Sequence, residues 1–268
     1  MLKVSIIGCG AIGSAVAQII EKDFAKKVEL AALCDIDKNK TDSLLKVLKT
    51  SPQILSLGES IRVSDLVIEA ASSEVVEEVV KKCIKHGKDV IIMSIGGFIG
   101  KEYLFDLVQD SNTYIHLPTG ALCGLDGVKA ANEAKIEEVQ LISRKPPRSL
   151  KGAPYLKDNN IDLDKIERET EIFSGTVREA ISGFPKNVNV SALLSIVGKG
   201  ADETKIKIIT SPEYKTNSHQ IIVKGDFGRL EAKTDNFPSP TNPKTSYLAI
   251  LSCIATLRRI MSHIKIGS

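Results

Sequence analysis

The opening of the chain restricts its fold more than any other segment. Lys3 to Ile7 is an apolar run rich in β-branched residues, the pattern of a strand buried on both faces. It passes directly into Gly8-Cys9-Gly10-Ala11-Ile12-Gly13. Ala11 to Phe24 then has helical spacing, with Ile12, Val16, Ile19 and Ile20 on one face. A G-x-G-x-x-G pattern is weak by itself and becomes specific when it joins a strand to a helix. Gly8 permits the tight turn, Gly10 lets the backbone approach a pyrophosphate, and Gly13 lets the helix pack closely on the strand. The helix start at Ala11 and Ile12 offers N–H groups and a positive dipole end to phosphate. These residues predict a dinucleotide site.

Asp35 ends the second strand, Val28 to Cys34, about 20 residues after Gly13. A carboxylate there accepts hydrogen bonds from both hydroxyls of an adenosine ribose and repels a 2′-phosphate. NAD is therefore favoured over NADP, while Lys38 and Lys40 leave NADP open.

The alternation continues. A helix is expected from Lys38 to Leu48, a strand from Asp65 to Ala70, and an amphipathic helix from Ser73 to His86 closed by Gly87. A strand at Asp89–Met93, a helix at Glu102–Val108 and a strand at Thr113–Leu117 follow. Alternating units of this length imply a parallel sheet with helices on both faces. Beyond residue 120 or so the rhythm stops. Ile136 to Ile142 reads as a strand broken by Lys145-Pro146-Pro147-Arg148, and Lys151 to Glu171 as a long polar loop. Helices are expected at Thr176–Ile181 and Val188–Val197, strands at Lys205–Thr210, His219–Lys224 and Gly228–Lys233, and one long helix at Lys244–Ile264. The fold class is α/β. A Rossmann dinucleotide-binding domain (1–121) precedes a smaller α+β substrate domain with a mixed sheet (122–242), and a C-terminal helix within 243–268 packs back on the first domain.

With 43% hydrophobic and 26% charged residues, the 268-residue chain can bury a sizeable core. A net charge of +3 does not argue for nucleic acid as the main partner. No apolar run approaches the roughly 18 residues of a membrane span, and the N-terminus lacks the layout of a signal peptide. Five scattered cysteines without a C-x-x-C pair suggest reduced thiols in the cytoplasm and no metal site. Cys123 alone lies near a motif of interest.

Hydride transfer to or from a nicotinamide needs a proton relay, and histidine is the commonest choice. His86 and His263 fall near helix ends, where a cation suits the dipole. His116 lies in the last strand of the first domain. His219 stands at a turn-to-strand junction among hydrogen-bonding residues, Lys215-Thr216-Asn217-Ser218. Two helix starts, Phe184-Pro185-Lys186-Asn187-Val188-Asn189 and Pro240-Thr241-Asn242-Pro243-Lys244-Thr245-Ser246, bring carboxamides and cations together, although ordinary capping also explains them.

Taken in order, the glycine turn, Pro118-Thr119-Gly120-Ala121-Leu122-Cys123-Gly124-Leu125-Asp126-Gly127, Phe184-Pro185-Lys186-Asn187-Val188-Asn189-Val190, Asn217-Ser218-His219 and Asn236-Phe237-Pro238-Ser239-Pro240-Thr241-Asn242-Pro243-Lys244-Thr245-Ser246 resemble the L-aspartate dehydrogenase family across nearly the whole chain. Thr119 and Leu122 stand where that family more often has Ser and Ile. The resemblance implies NAD(P)-dependent oxidation of L-aspartate to iminoaspartate. That product is hydrolysed to oxaloacetate and ammonia or passed to quinolinate synthase for NAD biosynthesis. His219 would be the active-site residue, Ala121 and Asn189 would contact the dinucleotide, and the enzyme would be a dimer. Two substrate carboxylates call for donors, with Lys186, Lys244, Thr245 and Ser246 as candidates. The alternatives are another imine or semialdehyde reductase of similar plan, like dihydrodipicolinate reductase or homoserine dehydrogenase, and a non-catalytic NAD-binding sensor.

Overall fold

The computed structural model describes residues 1–185, 188–240 and 242–267, with side chains left out at 242–244. The chain divides into two units. Met1–Pro118 joins Ala249–His263 in one, and Thr119–Leu248 joins the residues from Ile264 onward in the other. The division thus falls after Pro118, which puts Ala121 in the second unit, and that unit is not the smaller one.

In the first unit six strands form one parallel sheet. They are β1 (Leu2–Ile7), β2 (Val28–Cys34), β3 (Gln53–Ile54), β4 (Leu66–Glu69), β5 (Asp89–Ile92) and β6 (Ile115–His116), in the order β3-β2-β1-β4-β5-β6. The order reverses between β1 and β4, where such sheets open a ligand crevice at the carboxyl ends of the strands. The short β3 and the helix Leu57–Val63 escape the hydrophobic pattern because both residues of β3 are exposed. A capping box between Ser56 and Glu59 is the local signal that starts that helix. The helix Val76–His86 ends, as its sequence predicts, on a left-handed Gly87.

The core of this unit packs Val4, Ile6, Leu33 and Ile68 of the sheet against Val16 and Ile20 of the helix Ala11–Asp23. Ile250, Cys253, Ile254 and Leu257, from the last helix of the chain, join the same cluster. That helix spans Tyr247–Ile260 and is shorter than its spacing predicts. The residues before it are extended because they pair in a ribbon, in which Ser246 lies opposite Pro238. Beyond Ile260 the apolar spacing lapses, leaving His263 exposed and outside the helix.

The second unit holds β7 (Ile136–Lys145), β8 (Thr170–Thr176), β9 (Lys205–Thr210), β10 (Asn217–Gly225) and β11 (Gly228–Asn236) in the order β11-β10-β7-β9-β8. The β7–β9 pair is parallel and the others antiparallel, so the sheet is mixed. The ribbon pairs β12 (Pro238–Ser239) with β13 (Asn242–Ser246). Sequence reading stops β7 at Ile142, but the strand continues to Lys145, since a proline at 146 forbids only its own N–H. It also misses β8, where a bulge between Glu171 and Phe173 sets Ile172 and Phe173 side by side as buried residues and breaks the alternation. The stretch 151–171 is less of a loop than expected, because Pro154 opens a short helix, Pro154–Asp158, that buries Leu156.

Candidate active site

The glycine turn has a physical division of labour. Gly8 adopts φ +95°, and a side chain there would meet the backbone of Ala70 and Ala71 at 2.6 Å. A Cβ on Gly13 would lie 1.9 Å from the carbonyl oxygen of Gly8. Around Gly10, by contrast, nothing lies within 4 Å of a Cβ position. Two glycines are thus required by the protein itself, and the middle one leaves open space at a helix start that no side chain caps. Ala11 and Ile12, both half-buried, begin that helix. The arrangement fits a pyrophosphate.

Asp35 is fixed beside this turn. Its Oδ2 accepts the Cys9 N–H at 2.7 Å and its Oδ1 the Asp37 N–H at 2.8 Å. Lys40 Nζ stands 3.8 Å from Oδ1, and the carboxylate is 6% exposed. Each oxygen keeps a second lone pair for a ribose hydroxyl. A cavity of about 320 Å³ opens alongside, lined by Cys9, Ser14, Gln18, Asn39, Lys40 and Leu44 among others.

In the second unit the sheet has one buried face whose chemistry changes along its length. Val139 and Leu141 on β7, Ile221 and Val223 on β10, and Ile206 and Ile208 on β9 are buried and apolar. Towards one end the same face turns polar. Ser143 and Lys145 follow on β7, His219 and Asn217 on β10, Thr210 on β9, and Thr234 and Asn236 on β11. His219 is 3% exposed and its Nδ1 shares a 2.9 Å hydrogen bond with Ser143 Oγ. Burial, and then the charge of nearby Lys145, push the imidazole down to about 3. The ring is therefore neutral at rest. Lys145 is 5% exposed, and burial pushes its ammonium down to about 8.

Ala121 belongs to the same place. Its carbonyl oxygen accepts from Thr234 Oγ1 at 2.8 Å and from Asn236 Nδ2 at 3.2 Å. The loop carrying it lies on the sheet, since a Cβ on Gly124 would meet Ala232 at 2.9 Å and Ile221 at 3.2 Å. Asn189 is the exposed first residue of the helix Asn189–Val197, whose Val190 approaches Gly120. The second unit thus gathers Ala121, Asn189 and His219. Thr245 and Ser246 end β13 in extended backbone, immediately before the helix Tyr247–Ile260. Lys186 lies outside the described residues, as does the side chain of Lys244. His116 sits in the edge strand β6 of the first unit, stacked on Tyr114. Cys123 is half-buried with its thiol pushed up by burial, which makes it a poor nucleophile.

A six-stranded parallel sheet in this order, with its glycine turn and fixed Asp35, defines a dinucleotide-binding protein, and its second unit buries a histidine in a polar cluster. The comparisons with known proteins agree. Residues 8–118 match the homoserine dehydrogenase NAD-binding domain, and residues 126–260 match the aspartate dehydrogenase C-terminal family. The L-aspartate dehydrogenases of Methanosarcina acetivorans and Methanococcoides burtonii are 42% and 43% identical, covering 100% of both chains in each case. The crystal structure of an aspartate dehydrogenase from Thermotoga maritima superposes with a TM-score of 0.75 at 26% identity, again over 100% of both chains. The chain belongs to the L-aspartate dehydrogenase family, a family of NAD-binding oxidoreductases.

Proposed function

We propose that this protein oxidises L-aspartate to iminoaspartate with NAD or NADP. The observation that carries the reading is the buried His219–Ser143–Lys145 cluster, in a chain that matches curated L-aspartate dehydrogenases along its whole length. The dinucleotide would be held at Gly8, Gly10 and Gly13, at the helix start of Ala11 and Ile12, and by Asp35, with further contacts from Ala121 and Asn189. When bound, the dinucleotide would supply the hydride acceptor for the substrate α-carbon. The chain's own residues govern the proton. A neutral imidazole at His219 is an acceptor for the amine proton, and Ser143 fixes its orientation from the Nδ1 side. Once that proton has been released to solvent, the same nitrogen can take a proton from the water that attacks the imine carbon.

The decisive assay is NAD(P)-linked oxidation measured across the amino acids. Aspartate should be the preferred substrate, with NAD used at least as well as NADP because of Asp35. Preference for another amino acid, or dinucleotide binding without turnover of any, would refute the reading. We propose further that the chain works as a cytoplasmic homodimer and that iminoaspartate can pass to quinolinate synthase. The family resemblance supports the last two points. Five free cysteines, and no helix among the described residues long and apolar enough to cross a membrane, are compatible with the cytoplasm.

A further inference from the structure

We infer that the ammonium of Lys145 is the anchor for a substrate carboxylate, and that the polar end of the buried sheet face is the dicarboxylate subsite. The inference rests on the proposed oxidation of aspartate and deepens it by naming the residue that selects the acid. Four strands contribute to this end of the face, and their registers agree. Ser143 lies opposite His219, His219 opposite Thr234, Asn217 opposite Asn236, and Lys145 beside Thr210. Lys145 and His219 are diagonal neighbours on adjacent strands, a separation of roughly 7–8 Å between backbones that a lysine side chain spans.

Two further observations point to a ligand. Asn217 Oδ1 and Asn236 Oδ1 are buried, and neither finds a hydrogen-bond partner among the described residues. Orphaned acceptors of this kind call for a donor, and an amino acid brings an ammonium or amine. A buried cation in the same cluster supplies the opposite need, an anionic group that would otherwise enter an apolar environment unpaired. The cluster therefore has the polarity of an amino acid with an extra carboxylate. Among the described residues, the ionisable side chains on this face are Lys145 and His219. Lys207 on β9, Lys224 on β10 and Arg229, Glu231, Lys233 and Asp235 on β11 alternate to the other face. The helix Leu125–Ala131 turns Asp126 and Lys129 outward, and the helix Asn189–Val197 carries no ionisable group.

The placement also couples the two groups. The charge of Lys145 helps hold the His219 imidazole neutral. A carboxylate on Lys145 offsets that charge, so arrival of the substrate raises the basicity of the imidazole that must take its proton. The pocket is then a poor base until a dicarboxylate occupies it.

The test uses succinate, a dicarboxylate that cannot be oxidised here. Wild-type protein carrying 13Cε-labelled lysine is titrated by NMR, with and without NADH and with and without succinate. The signal missing from Lys145→Arg should titrate near 8 and move up by about one unit or more when succinate binds. Succinate affinity should fall as pH rises above 8, because deprotonation removes the cation. In steady state, Lys145→Met should raise the KM for aspartate by about 100-fold or more, change kcat far less and leave NAD affinity intact. Lys145→Arg should recover part of the loss. A Lys145 signal that succinate does not move in either cofactor state overturns the assignment, even if Lys145→Met fails to fold. A folded Lys145→Met with normal KM and lost kcat overturns it in favour of a proton-transfer role. Protein that binds succinate at Lys145 yet leaves aspartate unoxidised keeps the subsite and overturns the reaction.

Discussion

Each unit buries an ionisable group on its sheet, and the surroundings of the two differ. Glu69, at the end of β4, is 0% exposed. Its carboxylate receives the N–H of Ala71 at 2.7 Å, the N–H of Ser94 at 3.0 Å and the hydroxyl of Ser94 at 2.8 Å. Burial still raises its pKa, but every bond ties together the loops that follow β4 and β5. In the second unit Lys145 and His219 share their end of the sheet face with two amide oxygens that find no donor among the described residues. The first cluster is complete within the protein and braces it. The second leaves two amide acceptors that the proposed substrate amine would meet. Satisfaction of the neighbours, more than burial or a shifted pKa, separates a structural ionisable group from a functional one.

The sharpest way to break this contrast is at His219. His219→Ala should lower turnover by about 10²- to 10⁴-fold with little change in NAD affinity, and His219→Asn should not rescue it, since a carboxamide carries no proton near neutral pH. Near-normal turnover in a folded His219→Ala enzyme would remove the histidine from the mechanism. Next come two glycines that repeat the contrast within one turn. Gly13→Ala forces a methyl group against Gly8 and should abolish folding or binding, whereas Gly10→Ala should fold normally and lose dinucleotide affinity by calorimetry. Equal thermal stability of the two variants would contradict the division of labour.

Glu69→Gln should cost about 1–3 kcal/mol in denaturant unfolding and leave the KM for aspartate unchanged. A large KM effect would make Glu69 part of the substrate site and dissolve the contrast. A separate effect lies in acid stability. The unfolded imidazole takes its proton at 6.5 and the buried one only at about 3, so His219 costs stability as pH falls through that window, by up to about 1.4 kcal/mol per pH unit. His219→Asn should flatten that slope in pH-dependent unfolding. Smallest is Asp35→Ala, which should narrow the preference for NAD and weaken its binding modestly, because the Cys9 N–H also loses its acceptor. Kinetics with both cofactors would show it.

The geometry of the glycine turn and of Asp35 was legible because its signals are local. Gly8, Gly10, Gly13 and Asp35 act through backbone conformation and strand-end position, which a short stretch of sequence contains. Lys145 was not legible. A lysine before two prolines reads as a solvated loop, and only continuing the period of two from Val139, Leu141 and Ser143 places it on the buried face. Asn217 and Asn236 are ordinary strand-end residues until the register of β10 and β11 brings them opposite each other. His219 stood out by its neighbours, but its depressed basicity comes from burial and then from Lys145, 74 positions away, and no local pattern records either.

The last helix has a consequence for how the protein is made. Ile250, Cys253, Ile254 and Leu257 fill a core whose other members come from the first hundred residues or so. On a ribosome, the nucleotide-binding unit begins first and is completed last. The second unit, continuous from Thr119 to Leu248, has nearly all of its chain before that helix has emerged. During synthesis the apolar surface awaiting the helix is exposed, so a stop codon before residue 249 would disable the cofactor site from the far end of the gene.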